Sequence, residues 1–304
     1  MNSLVAIHPQ VLQALHDKQP VVALESAIIS HGMSYPKNVE TALCVEGVIR
    51  KHGVVPATVA IMDGKCQVGI TPEQIEYLGN ASGVWKVSLR DLPYVVSKRL
   101  LGGTTVSATM RISSWAGINV FVTGGIGGVH RGAATTMDIS ADLREMAQTS
   151  VAVVSAGVKS ILDIGLTLEY LETMGVPVIS YGQDAFPGFY SRNSGFNSPS
   201  RSDTPEDIAS ILYAKWQLGI QGSVLVANPL PPANEVPQAE MEQHIQLAIH
   251  AAADKNISGK DITPFILKYI SDHTRGSSLQ ANIALINNNA MLGALIAKAY
   301  AALQ

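Results

Sequence analysis

Seven short runs of apolar, mostly β-branched residues recur along this chain, and most are apolar at consecutive rather than alternate positions. Runs of this kind are typical of strands that are covered on both faces, as in a mostly parallel sheet. Helical patterns lie between several of them, so the sequence predicts an α/β fold built on such a sheet. The predicted strands are residues 21–24, 58–62, 84–87, 120–123, 151–154, 178–181 and 224–227.

Local signals mark two helix starts. From Thr204 to Asp207 the sequence TPED combines a capping threonine, a first-turn proline and an acid three residues after the cap, and Gly219 is the expected end. Thr263 and Pro264 predict a second start. The last quarter of the chain is expected to be mainly helical.

Residues 182–203 interrupt the alternation. This segment is rich in Gly, Ser, Asn and Pro and contains four aromatic residues. Structureless loops of this length are uncommon and tend to be functional or disordered. The aromatic residues favour an ordered loop that packs on other parts of the protein, as a lid or as a subunit contact. Since no repeat, low-complexity tract or linker is present, residues 1–304 are predicted to form a single α/β domain.

Composition excludes several classes of protein. Of the 304 residues 47% are hydrophobic, and the net charge of −3 argues against a nucleic-acid scaffold, which usually carries a basic patch. The N-terminus lacks the pattern of a secretory signal, and no apolar run reaches the roughly 18 residues of a membrane helix. Cys44 and Cys66 cannot form a zinc site or a disulfide framework, and both are expected to be buried thiols in the cytosol.

The segment of residues 120–159 concentrates the residues that carry chemistry. A predicted strand is followed by the turn GGIGG at residues 124–128, whose backbone N–H groups could approach an anion closely. The alternative is a tight turn that needs positive φ, and the two interpretations stay open. His130 and Arg131 follow and could line the same polar pocket. A second glycine turn, at residues 102–105, could serve it too.

Asp138 and Asp142 share a helix face if their segment is helical. One interpretation is a capping aspartate with a solvated partner. The other is a site for a hard divalent cation, since oxygen ligands and water suit Mg²⁺ or Mn²⁺ better than Zn²⁺. Such a partial ligand set fits a metal that keeps several waters.

Lys159 and Glu25 both come close after predicted strands. Ligands of open α/β sheets bind at the carboxyl ends of the strands, where a desolvated lysine can attack a carbonyl and a desolvated glutamate can act as an acid. The alternatives are a surface lysine at the start of a helix over residues 160–174, and a glutamate in a cap or an ion pair. Lys86 is either a phosphate contact or an ordinary strand lysine.

Taken together, these motifs resemble the pseudouridine-5'-phosphate glycosidases, also called pseudouridylate synthases, which are related to indigoidine synthase A proteins. The resemblance covers nearly the whole chain and rests on several long motifs in the same order. They are ESAIISHGMSYP (25–36), KVSLRDLP (86–93), GGTTVSATM (102–110), VTGGIGGVHRGA (122–133), TMDISADL (136–143), SAGVKSILDIG (155–165) and NIAL (282–285).

The resemblance implies an α/β/α fold of three layers, a homotrimer and a C-glycosidase of the carbon–oxygen lyase (hydro-lyase) class. Its reaction reversibly converts pseudouridine 5'-phosphate and water to uracil and ribose 5-phosphate. The bond that breaks is a C–C bond, so the leaving carbon has no lone pair to accept a proton. Opening the ribose ring and placing an amine on its first carbon supplies the missing electron sink through an iminium.

The resemblance also assigns roles to residues of this chain. Lys159 matches the covalent lysine, Glu25 the proton donor and Asp138 the acid that binds Mn²⁺, with Mg²⁺ or another divalent cation as the alternative. The positions that match substrate-binding residues are Lys86, Val106, Ser140, Ala141 and Asp142, with Thr123, His130 and Asn282 as further polar groups of the pocket.

Two other functions remain open. One is a different Schiff-base lyase or aldolase that acts on a phosphosugar, which would use the same lysine but cleave another bond. The other is a phosphosugar-binding regulator without catalysis. The partners expected in every case are small molecules, with no nucleic acid and no membrane, and the expected location is the cytoplasm.

Overall fold

The seven predicted runs all form strands, and they belong to one mixed sheet. The computed structural model describes residues 3–255, 257, 262–274 and 276–304. Two runs have the predicted bounds and the others differ by one to three residues at an end. The strands are β1 (Val5–Ile7), β2 (Val21–Leu24), β3 (Val55–Met62), β4 (Lys65–Val68), β5 (Trp85–Val87), β6 (Gly102–Thr104), β7 (Val120–Val122), β8 (Val129–His130), β9 (Ala152–Ser155), β10 (Leu162–Asp163), β11 (Val178–Tyr181), β12 (Ser200–Ser202) and β13 (Leu225–Ala227).

The sheet is mostly parallel, as predicted. Its strand order is β1-β4-β3-β2-β7-β9-β13-β11-β12, and β6 pairs with both β3 and β5. Strand β3 runs antiparallel to β4 and to β6, whereas the other described pairs of this sheet are parallel. Strands β8 and β10 form a separate antiparallel pair.

Helices cover both faces of the sheet. Helix α12 packs against α2 and α9 and lies on β2, β7 and β9, whereas α5 packs against α7 and lies on β2, β3 and β7. Since α5 and α12 share strands but occupy opposite faces, the three-layer α/β/α prediction is confirmed. The helices are α1 (Pro9–His16), α2 (Lys37–Lys51), α3 (Pro72–Asn80), α4 (Leu92–Ser97), α5 (Val106–Ala116), α6 (Ala133–Thr136), α7 (Ala141–Gln148), α8 (Ile164–Thr173), α9 (Pro205–Gln217), α10 (Gln238–Asp254), α11 (Ile262–His273) and α12 (Ser277–Ala301).

The predicted helix signals are mostly confirmed. Thr204 caps α9, since its side chain accepts a hydrogen bond from the backbone N–H of Asp207, and Gly219 follows the helix with a φ of +74°. The start predicted at Thr263 is too late, because Ile262 is already helical. The helix predicted over residues 160–174 is wrong at its start: α8 begins at Ile164, after Asp163 has capped it.

The second glycine turn was also predicted wrongly, because residues 102–104 form the buried strand β6. A Cβ atom at Gly102 would lie 2.4 Å from Cγ2 of Val87, and one at Gly103 would lie 2.1 Å from Oγ of Ser30. Glycine is therefore required here because neighbouring side chains approach the strand closely. Two of the three residues of β6 are glycines, so the strand carries no apolar pattern, which is why the sequence did not reveal it.

The long loop of residues 182–203 packs within its own chain. Phe186, Phe189 and Tyr190 are buried, at 0%, 2% and 2% exposure, whereas Phe196 is 45% exposed. The prediction of an ordered, packed loop is confirmed, while its role as a lid or subunit contact stays a prediction.

Of the two cysteines only one has the predicted environment. Cys66 is buried in β4, and burial raises the pKa of its thiol to about 11, whereas Cys44 is exposed. None of the helices in the part of the chain that the structure describes is both long and apolar enough to cross a membrane.

Alanine substitutions at Gly293 in α12 and at Gly47 in α2 would measure how tightly α12 packs on the sheet. A Cβ atom at Gly293 would lie 2.2 Å from Cγ2 of Val122, whereas nothing lies within 4 Å of one at Gly47 in α2. We expect Gly293→Ala to lower the free energy of unfolding by about 1–3 kcal/mol, because β-branched Val122 cannot move aside. Gly47→Ala should raise it by up to about 1 kcal/mol. Equal effects of the two variants in urea unfolding would contradict this packing.

Candidate active site

The register of β2 and β7 brings two predicted site residues together. Leu24 lies opposite Val122 in this parallel pair, so the residues that follow them, Glu25 and Thr123, emerge side by side. The hydroxyl of Thr123 donates a hydrogen bond to Oε1 of Glu25. Both side chains are buried, at 0% exposure for Thr123 and 8% for Glu25.

This edge of the sheet is also a point where the chain changes faces. The helix that follows β2 is α2, on the side of α12, whereas α7, the long helix after β7, packs against α5 on the other side. In open α/β sheets ligands bind in the crevice outside the strand ends at such a point. Glu25 lines that crevice, and Thr123 lies beside Glu25.

Because it is buried, Glu25 stays protonated to a higher pH than an ordinary glutamate. Loss of solvent is the largest effect on its carboxyl and raises the pKa, outweighing the opposite effects of the Lys159 charge and the Thr123 hydrogen bond. Nearby Asp142 raises the pKa further, whereas Lys86 lowers it. A carboxyl of this kind is suited to donate a proton near neutral pH.

Lys159 reaches the same cavity from the end of β9. Its backbone N–H donates to the carbonyl of Ile126 at 3.1 Å, and Val158 forms a bridge to the same residue, so the lysine loop is fixed to the glycine turn. The chain turns into this loop at Gly157, whose φ is +84°. The Lys159 side chain is half-buried, and the predicted alternative at a helix start is wrong because α8 begins only at Ile164.

A small cavity of about 60 Å³ joins these groups. Of the predicted site residues, it is lined by Glu25, Lys86, Lys159 and Asn282. It adjoins a larger cavity of about 420 Å³, and both are lined by His31, Gly32, Pro264, Leu267 and Asn282. Asn282 therefore lies between the lysine and the outer space.

His130 and Asp138 form a pair near this cavity. Their side chains approach to 3.8 Å between Nδ1 and Oδ2, and the His130 backbone N–H donates to the Asp138 carbonyl at 3.0 Å. Burial lowers the pKa of His130, and the charges of Lys86 and Lys159 lower it further, although Asp138 opposes them. The imidazole is therefore neutral at pH 7 and can accept a proton or a hydrogen bond.

Asp142 holds two turns of the site rather than facing the cavity. Its Oδ1 accepts from the N–H of Ser107 at 3.0 Å and its Oδ2 from the N–H of Gly127 at 2.8 Å. The anion that approaches the glycine turn is thus the protein's own carboxylate. No glycine in residues 124–128 has positive φ, so the alternative interpretation of this turn is wrong. A Cβ atom at Gly127 would lie 2.2 Å from Oγ of Ser140, which leaves no room for a side chain.

The other predicted binding residues lie at two helix starts that Asp142 links. Val106 is buried at the first residue of α5, beside Ser107. Ser140 caps α7 by accepting from the N–H of Asp142, and Ala141 is the exposed first residue of that helix. Their contact with a substrate stays a prediction.

The described residues fit only a water-rich metal site. Within residues 3–255, 257, 262–274 and 276–304 there is no group of three or more His, Cys, Asp or Glu side chains arranged to hold a metal. Asp138 has a carboxylate that is 40% exposed, whereas both carboxylate oxygens of Asp142 already accept N–H bonds. One carboxylate with water suits Mn²⁺ or Mg²⁺ and does not suit Zn²⁺. A metal at Asp138 stays a prediction.

The structure adds residues that the sequence did not reveal. His31, in the π-helical turn Ile28–Gly32, and Phe189, in the long loop, both line the cavity. Asn289 is fully buried and donates to the Thr123 carbonyl at 2.9 Å, while it accepts from Asn228 at 3.1 Å. Its spacing of seven residues from Asn282 on α12 was the available signal, since it places both amides on one helix face.

Glu25→Gln should change stability in a pH-dependent way. The folded protein raises the pKa of Glu25 above its ordinary value of 4.5. The stabilisation that the protonated Glu25 carboxyl gives the folded state is therefore fully present below pH 4.5 and is lost as the pH rises through the raised pKa. Gln cannot ionise, and its carbonyl can still accept from Thr123. We expect Glu25→Gln to unfold at a higher temperature than wild type at pH 8, with the difference shrinking towards pH 4.

A matched control is Glu40→Gln, since Glu40 has a side chain that is 58% exposed. Thermal unfolding at pH 4 and pH 8 should show no such gain for this variant. A Glu25→Gln protein that is less stable than wild type at pH 8 would contradict the burial argument.

Comparison with known proteins extends over the whole chain. The sequence profile described as indigoidine synthase A like protein matches residues 10–299. A pseudouridine-5'-phosphate glycosidase of Nocardioides sp. is 55% identical to this chain, and the alignment covers 100% of this chain and 99% of the relative. One of Deinococcus radiodurans is 54% identical, with 100% and 97% covered.

Solved structures agree with the sequence comparison. The prealnumycin C-glycosynthase AlnA, solved in complex with ribulose 5-phosphate, is 36% identical with a TM-score of 0.92, over 100% of this chain and 99% of that one. An indigoidine synthase A (IdgA)-like protein of Thermotoga maritima is 34% identical with a TM-score of 0.88, over 98% and 97%. The resemblance first seen in the motifs is confirmed, and this chain belongs to the indigoidine synthase A-like protein family.

Proposed function

We propose that this protein catalyses reversible cleavage of the C–C glycosidic bond of pseudouridine 5'-phosphate, which gives uracil and ribose 5-phosphate. The observation that carries the proposal is the shared cavity of Glu25 and Lys159 in a chain that is 52–55% identical to proteins of this name. A relative of 36% identity is a C-glycosynthase solved with a phosphosugar, which supports the same substrate class.

The chemistry requires an amine because carbon is a poor leaving atom. Glu25, which holds its proton by burial, protonates the ring oxygen as the bond from that oxygen to the first carbon of ribose breaks. The Lys159 amine then bonds to the first carbon and returns a proton to the Glu25 carboxylate, so its nitrogen keeps a lone pair. When uracil is protonated on its own carbon, the C–C bond breaks and the nitrogen lone pair leaves an iminium on the sugar. Water adds to the iminium and releases ribose 5-phosphate and the free lysine.

The remaining residues hold the substrate in this proposal. Lys86 would pair with the phosphate, and its position close enough for its charge to act on both Glu25 and His130 supports this role. Thr123 orients Glu25 through its hydrogen bond. Asn282, which lines the cavity, and His130, which lies near Lys86 and Lys159, would position the sugar or the base.

Asp138 would hold the divalent cation, with Mn²⁺ proposed and Mg²⁺ as the alternative. The bound ion would supply positive charge that offsets the negative charge of the substrate. The homotrimer and the hydro-lyase class are proposed from the family resemblance alone.

Release of uracil tests the function directly. Purified protein with Mn²⁺ and pseudouridine 5'-phosphate should produce uracil, followed by its ultraviolet absorbance. If no uracil appears but ribose 5-phosphate is still captured as an imine, the lyase or aldolase alternative is favoured. Binding of the phosphosugar without either reaction would favour the regulator.

Lys159→Ala should abolish covalent capture of the sugar and lower uracil release by about a thousandfold or more, since the nucleophile is gone. Borohydride treatment with ribose 5-phosphate, followed by intact-mass measurement, should show a reduced adduct in wild type and in Lys65→Ala. Lys65 is an exposed lysine of β4 and serves as the control. An undiminished adduct in Lys159→Ala would assign the nucleophile to another lysine.

Chelation should suppress the activity, and Mn²⁺ should restore it, because the described residues offer no group of three or more His, Cys, Asp or Glu side chains that would hold the ion tightly. We expect Asp138→Asn to need at least about tenfold more Mn²⁺ for half-maximal activity. Uracil release after exhaustive dialysis against EDTA measures this. Full activity under those conditions would leave Asp138 with a structural role only.

A further inference from the structure

Phe189 has a strained backbone at the wall of the cavity. Its φ is +70°, and the N–H of Tyr190 donates to the carbonyl of Gly188 at 2.9 Å, which closes a γ-turn centred on Phe189. The γ-turn with positive φ is rare and strained, and positive φ is unusual for a bulky residue. Strain of this kind persists where the surrounding structure requires it, often at ligand sites.

The neighbouring glycine does not occupy the strained position. A Cβ atom at Gly188 would lie 2.5 Å from Oγ of Ser191, and Gly188 also forms a bridge to Gly157, so this residue must be small. Position 188 thus has glycine because space is short there. Position 189 has positive φ, which glycine would adopt without strain, yet it is occupied by phenylalanine. We therefore look for a role of the phenyl ring at position 189.

The ring of Phe189 packs against the glycine turn of residues 124–128. It is 2% exposed, and a Cβ atom at Gly125 would lie 2.6 Å from its Cε2 atom. Tyr190 packs against it edge-on, with ring centroids 4.7 Å apart at 85°. Among the described residues that line the cavity with Glu25 and Lys159, Phe189 is the one with a six-membered aromatic ring.

We propose that the Phe189 ring is the surface on which the leaving nucleobase stacks during the reaction, an inference that rests on the proposed function. Uracil is planar and neutral, so its faces suit an aromatic wall and its polar edges suit an amide such as that of Asn282. The charged groups of the same cavity, Lys86 and Lys159, serve the phosphosugar instead. Stacking holds the base in place while its carbon gains a proton and the C–C bond breaks.

Phe186 shows what an aromatic residue of this loop does when it only packs. It is 0% exposed and packs against the loop that carries Lys159, since a Cβ atom at Gly157 would lie 2.9 Å from the Cε1 atom of Phe186. It does not line the cavity, and its φ is not positive. Phe186→Leu is therefore a control matched in residue type, burial and loop.

The experiment measures base binding and sugar capture separately in Phe189→Leu. In the synthetic direction, with ribose 5-phosphate saturating, we expect the KM for uracil to rise about tenfold. Borohydride trapping of ribose 5-phosphate without any base should stay within twofold of wild type. Phe189→Tyr, which keeps the ring, should restore the KM to within threefold, and Phe186→Leu should lower Tm without changing the KM.

An unchanged KM for uracil, or an equal loss of sugar trapping in Phe189→Leu, would overturn the proposal and leave Phe189 as a support of the Lys159 loop. Absence of uracil turnover in wild type is a different result, because it refutes the proposed function itself. If Phe189→Leu does not fold, the stacking can be tested on wild-type protein, by measuring how tightly uracil and 5,6-dihydrouracil compete for the base site. Planar uracil should then bind at least about tenfold more tightly than puckered 5,6-dihydrouracil, which has the same polar edges, and equal binding would refute stacking.

Discussion

The parallel pairing of β2, β7 and β9 is the constraint on which the site depends. Leu24 lies opposite Val122, and Val122 lies opposite Val154, so three strands end at one level. Glu25 follows the first strand and the Lys159 loop follows the last. The two groups are 134 residues apart in sequence, and only the sheet brings an acid and an amine into one cavity.

Two buried carboxylates beside this edge, Glu25 and Asp142, have different surroundings. Asp142 accepts two backbone N–H bonds, which tie α5 to the glycine turn. Glu25 accepts one bond, from the Thr123 hydroxyl, and burial raises its pKa. A carboxyl whose pKa is raised by burial is typical of active sites, whereas Asp142 is held by backbone hydrogen bonds.

Much of the fold could be read from the chain because fully covered strands are apolar at every position. The same reasoning could not find β6, since Gly102 and Gly103 have no side chain to form a pattern, or the short edge strand β12, whose residues are polar. In the site, the motifs indicated Glu25, Lys159 and Asn282. They did not indicate Phe189, because its importance lies in a strained turn and a contact with Gly125 that no local signal records.

The sequence by itself determined the layers of the fold, the family and the residue types that are able to react, because apolar periodicity and long motifs are local properties. The tertiary structure decided which of those residues meet. It turned Asp142 inward to two backbone amides, placed a ring beside Lys159 and buried Glu25 at the point where the chain changes faces. These outcomes depend on strand register and on the exclusion of water, and both arise only when distant segments pack together.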